Sequence, residues 1–219
     1  VIAETEQQAR DAAEKINADI KELPAVIDMA SALSGSNFVH DEIGTNQCYD
    51  WGWIEDNREA TDKAIKNAHH VTTLELVNNR LVPNAMEPRC SIADYNPAND
   101  DYTLYTTSQN PHLTRLLISA FVLGIPENKL TVVSPDVGGG FGSKIYHYGE
   151  EALVLAAAKR IKRPVRWTAT RSESFMTDAH GRDHVTKIEL ALDKDNNFLA
   201  FRTETVSYTH LTLPTIAIV

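Results

Sequence analysis

The residues with most chemistry in reach are Ser134-Pro135-Asp136-Val137-Gly138-Gly139-Gly140-Phe141-Gly142-Ser143-Lys144, where four of the ten glycines fall within five positions. Glycines carry no Cβ, so the main-chain N–H groups of such a run approach a bound group more closely than other residues permit. That suits a cradle for an anion, although glycine clusters are also common in plain turns. Spacing excludes the two familiar nucleotide loops. A triphosphate loop needs Lys followed by Ser or Thr, whereas Ile145 follows Lys144. A dinucleotide fingerprint needs glycine at its first, third and sixth positions; counted from Gly138 the sixth is Ser143, and from Gly140 it is Ile145.

The flanking residues say how the loop is held. Leu130-Thr131-Val132-Val133 reads as a buried strand. Tyr148 to Ile161 reads as a helix, rich in Ala and Leu and ending in Lys159-Arg160 at its cation-favouring end. A helix after the loop would add unpaired N–H groups and a positive dipole end, favouring phosphate or another oxyanion. Gln109 follows a strand over Tyr102 to Thr107 and precedes an apolar helix from His112 to Leu123, opened by Pro111 and stopped by Gly124. Its carboxamide is thus set at a strand end, able to point into a cleft.

Several separated segments share one further pattern. Gly-Gly-Gly-Phe-Gly-Ser-Lys at 138–144 is followed by Arg163-Pro164-Val165-Arg166-Trp167, Thr170-Arg171-Ser172-Glu173 and Gly181-Arg182-Asp183-His184. It is preceded by Asn78-Asn79-Arg80-Leu81-Val82-Pro83-Asn84-Ala85-Met86-Glu87-Pro88-Arg89 and Ser108-Gln109-Asn110-Pro111-His112. In this order they resemble the molybdenum-binding large subunit of the xanthine oxidase family, in its carbon monoxide dehydrogenase and aldehyde dehydrogenase branch. The resemblance runs over almost the whole chain.

That resemblance implies molybdenum held by the dithiolene of a pterin, as molybdopterin cytosine dinucleotide, with the protein supplying cradle and orientation. Cofactor contacts are then expected from Gly138, Gly139, Gly140, Phe141, Gly142, Ser143, Lys144 and Arg182. Catalytic roles fall to Gln109, hydrogen-bonding a ligand of the metal, and Phe141, walling the substrate side. An amide suits the first role because it donates without adding charge. Arg182 and His184 could approach the same site, with a salt bridge at the strand entry through Gly181-Arg182-Asp183-His184 as the plainer reading, and Lys144 is divided between cofactor contact and the partner of a carboxylate. The implied reaction is oxidation of a small carbon substrate, carbon monoxide or an aldehyde, by water, with the general-base Glu outside this fragment. Iron–sulfur and FAD are expected on partners, a small 2Fe–2S subunit and a medium FAD-binding subunit, in a dimer of heterotrimers. From the residues alone, a phosphate- or nucleotide-binding module and a purely structural domain stay open.

Composition narrows the classes. With 42% hydrophobic and 23% charged residues the 219-residue chain is globular rather than disordered or fibrous. A net charge of -9 opposes nucleic-acid binding, and the basic stretch Lys159 to Arg166 reads as a helix end and solvated turn. Cys48 and Cys90 have no metal-ligand neighbours at short spacing. A single disulfide between them stays open, and two reduced thiols in a cytoplasmic compartment are the simpler reading. No apolar run reaches membrane-spanning length and no leader is visible. The start without Met reads as a fragment.

The mixture of βα units and antiparallel hairpins gives the class α+β; the resemblance implies the end of an α/β hammerhead domain over 1–33, a linker over 34–56, and part of a molybdenum-cofactor-binding domain over 57–205. Within the first stretch, Ile2 and Asp19 to Leu23 read as strands around a helix capped by Thr5, and Asp28 to Leu33 as a short helix ended by Gly35. His40-Asp41-Glu42 reads as a surface turn. Asn57 to Ala68 reads as an amphipathic helix, Val71 to Val77 as a half-buried strand and Arg163 to Thr168 as another. Val185 to Leu192 and Phe198 to Thr205 read as a hairpin around Asp193 to Asn197. Residues 206–219 depart from the family pattern, resemble a translated sequencing adaptor, and are expected to be a non-native tail that removes His210 from any site.

Overall fold

The computed structural model describes residues 1–52 and 57–207. The chain divides into two compact units, Val1–Asp50 and Trp51–Val219.

The first unit holds α1 (Glu6–Ala13) and α2 (Met29–Ser34). Thr5 caps α1 through its hydroxyl and Gln8 returns the bond, while Asp28 caps α2 and Gly35 ends it. The expected strands at Ile2 and 19–23 are not formed. A strand needs a partner edge for its N–H and C=O groups, and this unit supplies none; Ile2, Ile20 and Leu23 stay exposed. His40 faces Glu42 at 3.5 Å on the surface, as a turn should.

The second unit is α+β. A three-stranded antiparallel sheet has the order β1 (His70–Asn78), β6 (His184–Leu192), β7 (Phe198–Ser207). Across it lies α3 (Arg58–Asn67), fastened by Arg202, which donates to Asp62 at 2.6 Å and to Glu189 on β6. The β6–β7 hairpin closes through Asp193, whose carboxylate accepts from the amides of Asp195 and Asn197. β1 forms where alternation placed it, but Leu74, Leu76 and Val77 are exposed rather than half buried. β7 runs on to Ser207, paired with His184. The remainder of the expected tail, 208–219, lies outside the described residues.

The other sheet has four strands in the order β4 (Leu130–Val133), β3 (Asp101–Thr106), β2 (Cys90–Asn96), β5 (Val165–Thr168). Its β3 and β4 are parallel, joined through α4 (Pro111–Leu117) and a π-helical stretch Ile118–Leu123 that ends at left-handed Gly124. One face packs on α5 (Gly149–Ile161), with Leu104, Ile118, Leu130, Val154, Leu155 and Ala158 fully buried between them. β2 was not foreseen, because its inward positions are Ser91 and Ala93 while Ile92 faces outward. Helix α6 (Arg171–Thr177), opened by a reciprocal Thr170–Glu173 cap, completes the unit. Cys48 and Cys90 are both free thiols.

Candidate functional site

Parallel pairing is what brings Gln109 to the glycines. Tyr105 pairs with Val133 in register, so the chain leaves β3 and β4 at the same sheet edge. Crevices outside the carboxyl ends of parallel strands are where such sheets hold ligands. The two exits are laced together: Ser134 Oγ donates to the Ser108 carbonyl at 2.6 Å and the Gln109 amide donates to the Lys144 carbonyl at 2.9 Å. Gln109 Oε1 then accepts from the amides of Gly142 at 3.0 Å and Lys144 at 3.2 Å. Two donors on one oxygen fix which way the carboxamide points. Its NH2 group is turned away from those amides and has no acceptor among the described residues.

The loop is shaped by close approach and unusual dihedrals. A Cβ on Gly140 would stand 2.3 Å from Gln109 Oε1, and one on Gly138 would stand 2.6 Å from Glu87 Cβ. Gly139 and Gly142 have φ of +94 and +96, which L side chains rarely adopt. Phe141 itself sits at φ 51 with its ring 76% exposed, lying against Gly139. For an aromatic residue that backbone is strained, and it persists because its neighbours are pinned.

Most of the loop's amides have protein acceptors, which corrects the expectation that the whole run from Gly138 to Gly142 faces a ligand. Gly138 N donates to Glu87 Oε2 at 2.7 Å, Gly139 N to the Val137 carbonyl at 2.9 Å, and Ser143 N to the Gly140 carbonyl at 3.0 Å. The amides of Gly140 and Phe141 are left without an acceptor among the described residues. The open donors are therefore these two and the Gln109 NH2.

The Ser143 side chain, expected at the cofactor, bonds within the loop, and Lys144 takes the second of its two expected roles, as the partner of a carboxylate. Both residues are 2% exposed. Ser143 Oγ donates back to the Gly140 carbonyl at 2.9 Å, and Lys144 Nζ donates to the Glu87 carbonyl at 2.8 Å and carboxylate at 3.1 Å. Arg182 is not joined to the loop by any hydrogen bond or ion pair among the described residues. It is exposed at φ 69, where Gly181 is bridged to Leu81 and the chain turns into β6. Its neighbour Asp183 pairs with Arg80 at 3.8 Å. His184, on β6, has its Nε2 buried without a partner.

The helix after the loop does not serve it. α5 begins at Gly149, seven positions beyond Gly142. Its N-terminus already carries Glu150 and Glu151, and Glu151 accepts from the Tyr148 amide at 3.2 Å. Acidic side chains in the first turn satisfy the dipole and repel a second anion, so the oxyanion cradle expected from this helix is absent.

Behind the loop lies a polar network that sequence reading missed. Arg89, 4% exposed, donates to Asp178 at 2.6 Å and to Glu150 at 3.1 Å, with its guanidinium 3.6 Å over the Tyr148 ring. Tyr148 donates through its hydroxyl to the Ser143 carbonyl at 2.5 Å and accepts from the Ala179 amide at 2.9 Å. Burial pushes the Glu150 carboxyl up, but the hydrogen bond and charge of Arg89 outweigh it and hold the group below the usual carboxylate range. Burial also raises the Tyr148 hydroxyl, which stays protonated as a donor. Glu87 and Arg89 stand in the segment Asn78 to Arg89, yet their partners lie 51 to 89 positions away, and only folding brings them together.

These donors suit an organic ligand rather than a bare ion. Among the described residues no group of three or more His, Cys, Asp and Glu gathers, while the loop offers two backbone amides and a neutral carboxamide beside glycines that a side chain would block. Such a set fits a pterin-borne cofactor, and Gly140, Phe141 and Gln109 are the residues that would hold it.

Comparison with known proteins points the same way. The chain is 34% identical to the carbon monoxide dehydrogenase large chain of Hydrogenophaga pseudoflava, over 94% of this chain and 27% of that protein. It is 30% identical to the nicotine 6-hydroxylase large subunit of Paenarthrobacter nicotinovorans, over 93% and 24%. Among solved structures, quinoline 2-oxidoreductase from Pseudomonas putida 86 superposes with a TM-score of 0.83 at 30% identity, covering 94% of this chain and 26% of that one. The chain thus spans about a quarter of the length of the relatives it matches. The family model of the molybdopterin cofactor-binding domain matches residues 39–214, and the chain belongs to that family.

Proposed function

We propose that this chain is the cofactor-cradling part of the large subunit of a molybdenum hydroxylase, one that oxidises carbon monoxide or an aldehyde with water. Residues 57–205 would form part of the cradle domain and 1–33 the end of a hammerhead-like domain, linked by 34–56. The observation that carries the reading is Gln109, whose Oε1 is held by Gly142 N at 3.0 Å and Lys144 N at 3.2 Å. That grip turns its NH2 outward beside the open amides of Gly140 and Phe141. Bound there as molybdopterin cytosine dinucleotide, the cofactor supplies two-electron redox chemistry.

The chain's own residues bind and orient. Gly140 keeps the Gln109 carboxamide within reach because any side chain would displace it. Gln109 offers uncharged donors, which position a ligand without altering its charge balance. The exposed Phe141 ring would form an apolar wall on one side of the bound group. Partners on this reading are a medium FAD-binding subunit and a small 2Fe–2S subunit in a cytoplasmic dimer of heterotrimers, and the general base is supplied from beyond this segment. No helix among the described residues is long and apolar enough to cross a membrane. The test is molybdenum and pterin analysis of the protein purified from its full coding sequence, beside Gly140→Val. Molybdenum in the first and its loss in the second support the reading; nucleotide without molybdenum overturns it.

A further inference from the structure

Glu87 makes more bonds to the glycine loop than any role for it yet given would require. Its Oε2 accepts from Gly138 N at 2.7 Å and from Lys144 Nζ at 3.1 Å. Its carbonyl accepts from Lys144 Nζ at 2.8 Å, and its own amide donates to the Gly138 carbonyl at 3.3 Å. One residue thus grips both ends of the run, at Gly138 and at Lys144. The side chains differ in surroundings, Lys144 being 1% exposed and Glu87 34%. A buried ammonium without a carboxylate is far costlier than a partly wetted carboxylate without an ammonium. The close approach of residue 87 also explains glycine at 138, since a Cβ there would stand 2.6 Å from Glu87 Cβ.

We propose that the Glu87–Lys144 ion pair is a positioning bracket that holds the glycine loop in its ligand-ready shape. Between its anchor points the chain passes through φ of +94 at Gly139, 51 at Phe141 and +96 at Gly142. Strained conformations of this kind persist only where surrounding bonds over-determine them. Gln109 fixes positions 142 and 144, and nothing but Glu87 fixes 138 among the described residues. With the bracket closed, the amides of Gly140 and Phe141 are pre-set; with it open, binding must first order the loop, which lowers affinity without removing any ligand contact.

This rests on the molybdenum reading for the ligand but not for the loop, so two measurements separate the failures. The protein, expressed from its full coding sequence with whatever subunits co-purify, is prepared as wild type, Glu87→Gln, Lys144→Met and the double variant. Molybdenum per chain after gel filtration is expected to fall at least tenfold in each single variant, the effect of removing a supporting shell. The double variant, having no buried unpaired charge, loses no more than the worse single one. Amide exchange over 134–148 is expected to quicken at least tenfold in each single variant, while the melting temperature of Lys144→Met stays within about 3 °C of wild type. A residue that merely stabilised the fold would lower melting and leave local exchange tracking it. Losses that multiply in the double variant, as independent sites do, overturn the proposal. So does loop exchange at the wild-type rate, whatever the metal content. If wild type carries no molybdenum, the functional reading fails and the exchange rates still decide the bracket. If Glu87→Gln does not assemble, Lys144→Met decides by the same two readings.

Discussion

At the scale of single residues, the site depends on two atoms that cannot move independently. Gly140→Ala puts a methyl where Gln109 Oε1 lies 2.3 Å away, so the carboxamide must swing out and leave the amides of Gly142 and Lys144 without their acceptor. Unfolding free energy should drop by about 0.5–1.5 kcal/mol, the net worth of a hydrogen bond at an exposed to half-buried site, and cofactor retention by tenfold or more; denaturant unfolding and metal analysis read the two. Gln109→Glu separates them. A carboxylate still accepts from both amides, so stability should change by less than about 1 kcal/mol. It lacks the NH2 donor and adds charge beside the loop, so retention should still fall. Equal stability with equal retention would show that the outward NH2 of Gln109 holds nothing.

Elements set the next scale, and there the polar end of the four-stranded sheet governs. The core passes from Leu104 and Leu155 to Ser91, Thr106 and Glu151 as it nears the loop, with Thr106 Oγ1 donating to Glu151 at 3.0 Å. Arg89→Met removes the cation from Asp178, whose side chain is 8% exposed, and from Glu150. Breaking a buried pair this way should cost about 3–5 kcal/mol. The pH dependence follows from the depressed Glu150 carboxyl. Its contribution is fully present above the unfolded carboxylate range, about 4.3, and is lost as pH falls through the lower folded value. Wild type should therefore lose stability on acidification below about pH 5 more steeply than Arg89→Met does, read by unfolding at a series of pH values. At the sheet centre, Ala93 is fully buried, so Ala93→Leu should overpack β2 against α5 and cost about 1–3 kcal/mol in the same assay. β2 hid from pattern reading for that reason: where α5 approaches closely only small residues fit, and the strand's inward positions do not look apolar. The short helix α6 carried its Thr170–Glu173 cap in plain sight, but seven residues give too little periodicity to weigh.

The molecule as a whole spans about a quarter of its relatives' length, and its three-stranded sheet exposes Leu74, Leu76, Phe198 and Leu199. The 219 residues by themselves should show no turnover of carbon monoxide or aldehydes with an artificial electron acceptor, and activity from the purified piece would sink the assignment of the base to another segment. What the sequence alone determined is local: the glycine run, the caps at Thr5 and Gly124, the strand before the loop, the helix after it and the β6–β7 hairpin. Those features are written in neighbouring residues, because propensity, capping and turn chemistry act over a few positions. Only the tertiary structure decided that most of the loop's amides are already bonded, that Ser143 and Lys144 bond to the protein itself, that Arg182 makes no bond to the loop among the described residues, and that Glu87 and Arg89 find partners far along the chain. Each of those outcomes turns on which distant groups share a buried space, since a donor takes whichever acceptor folding leaves within 3 Å, and no short stretch of sequence carries that information.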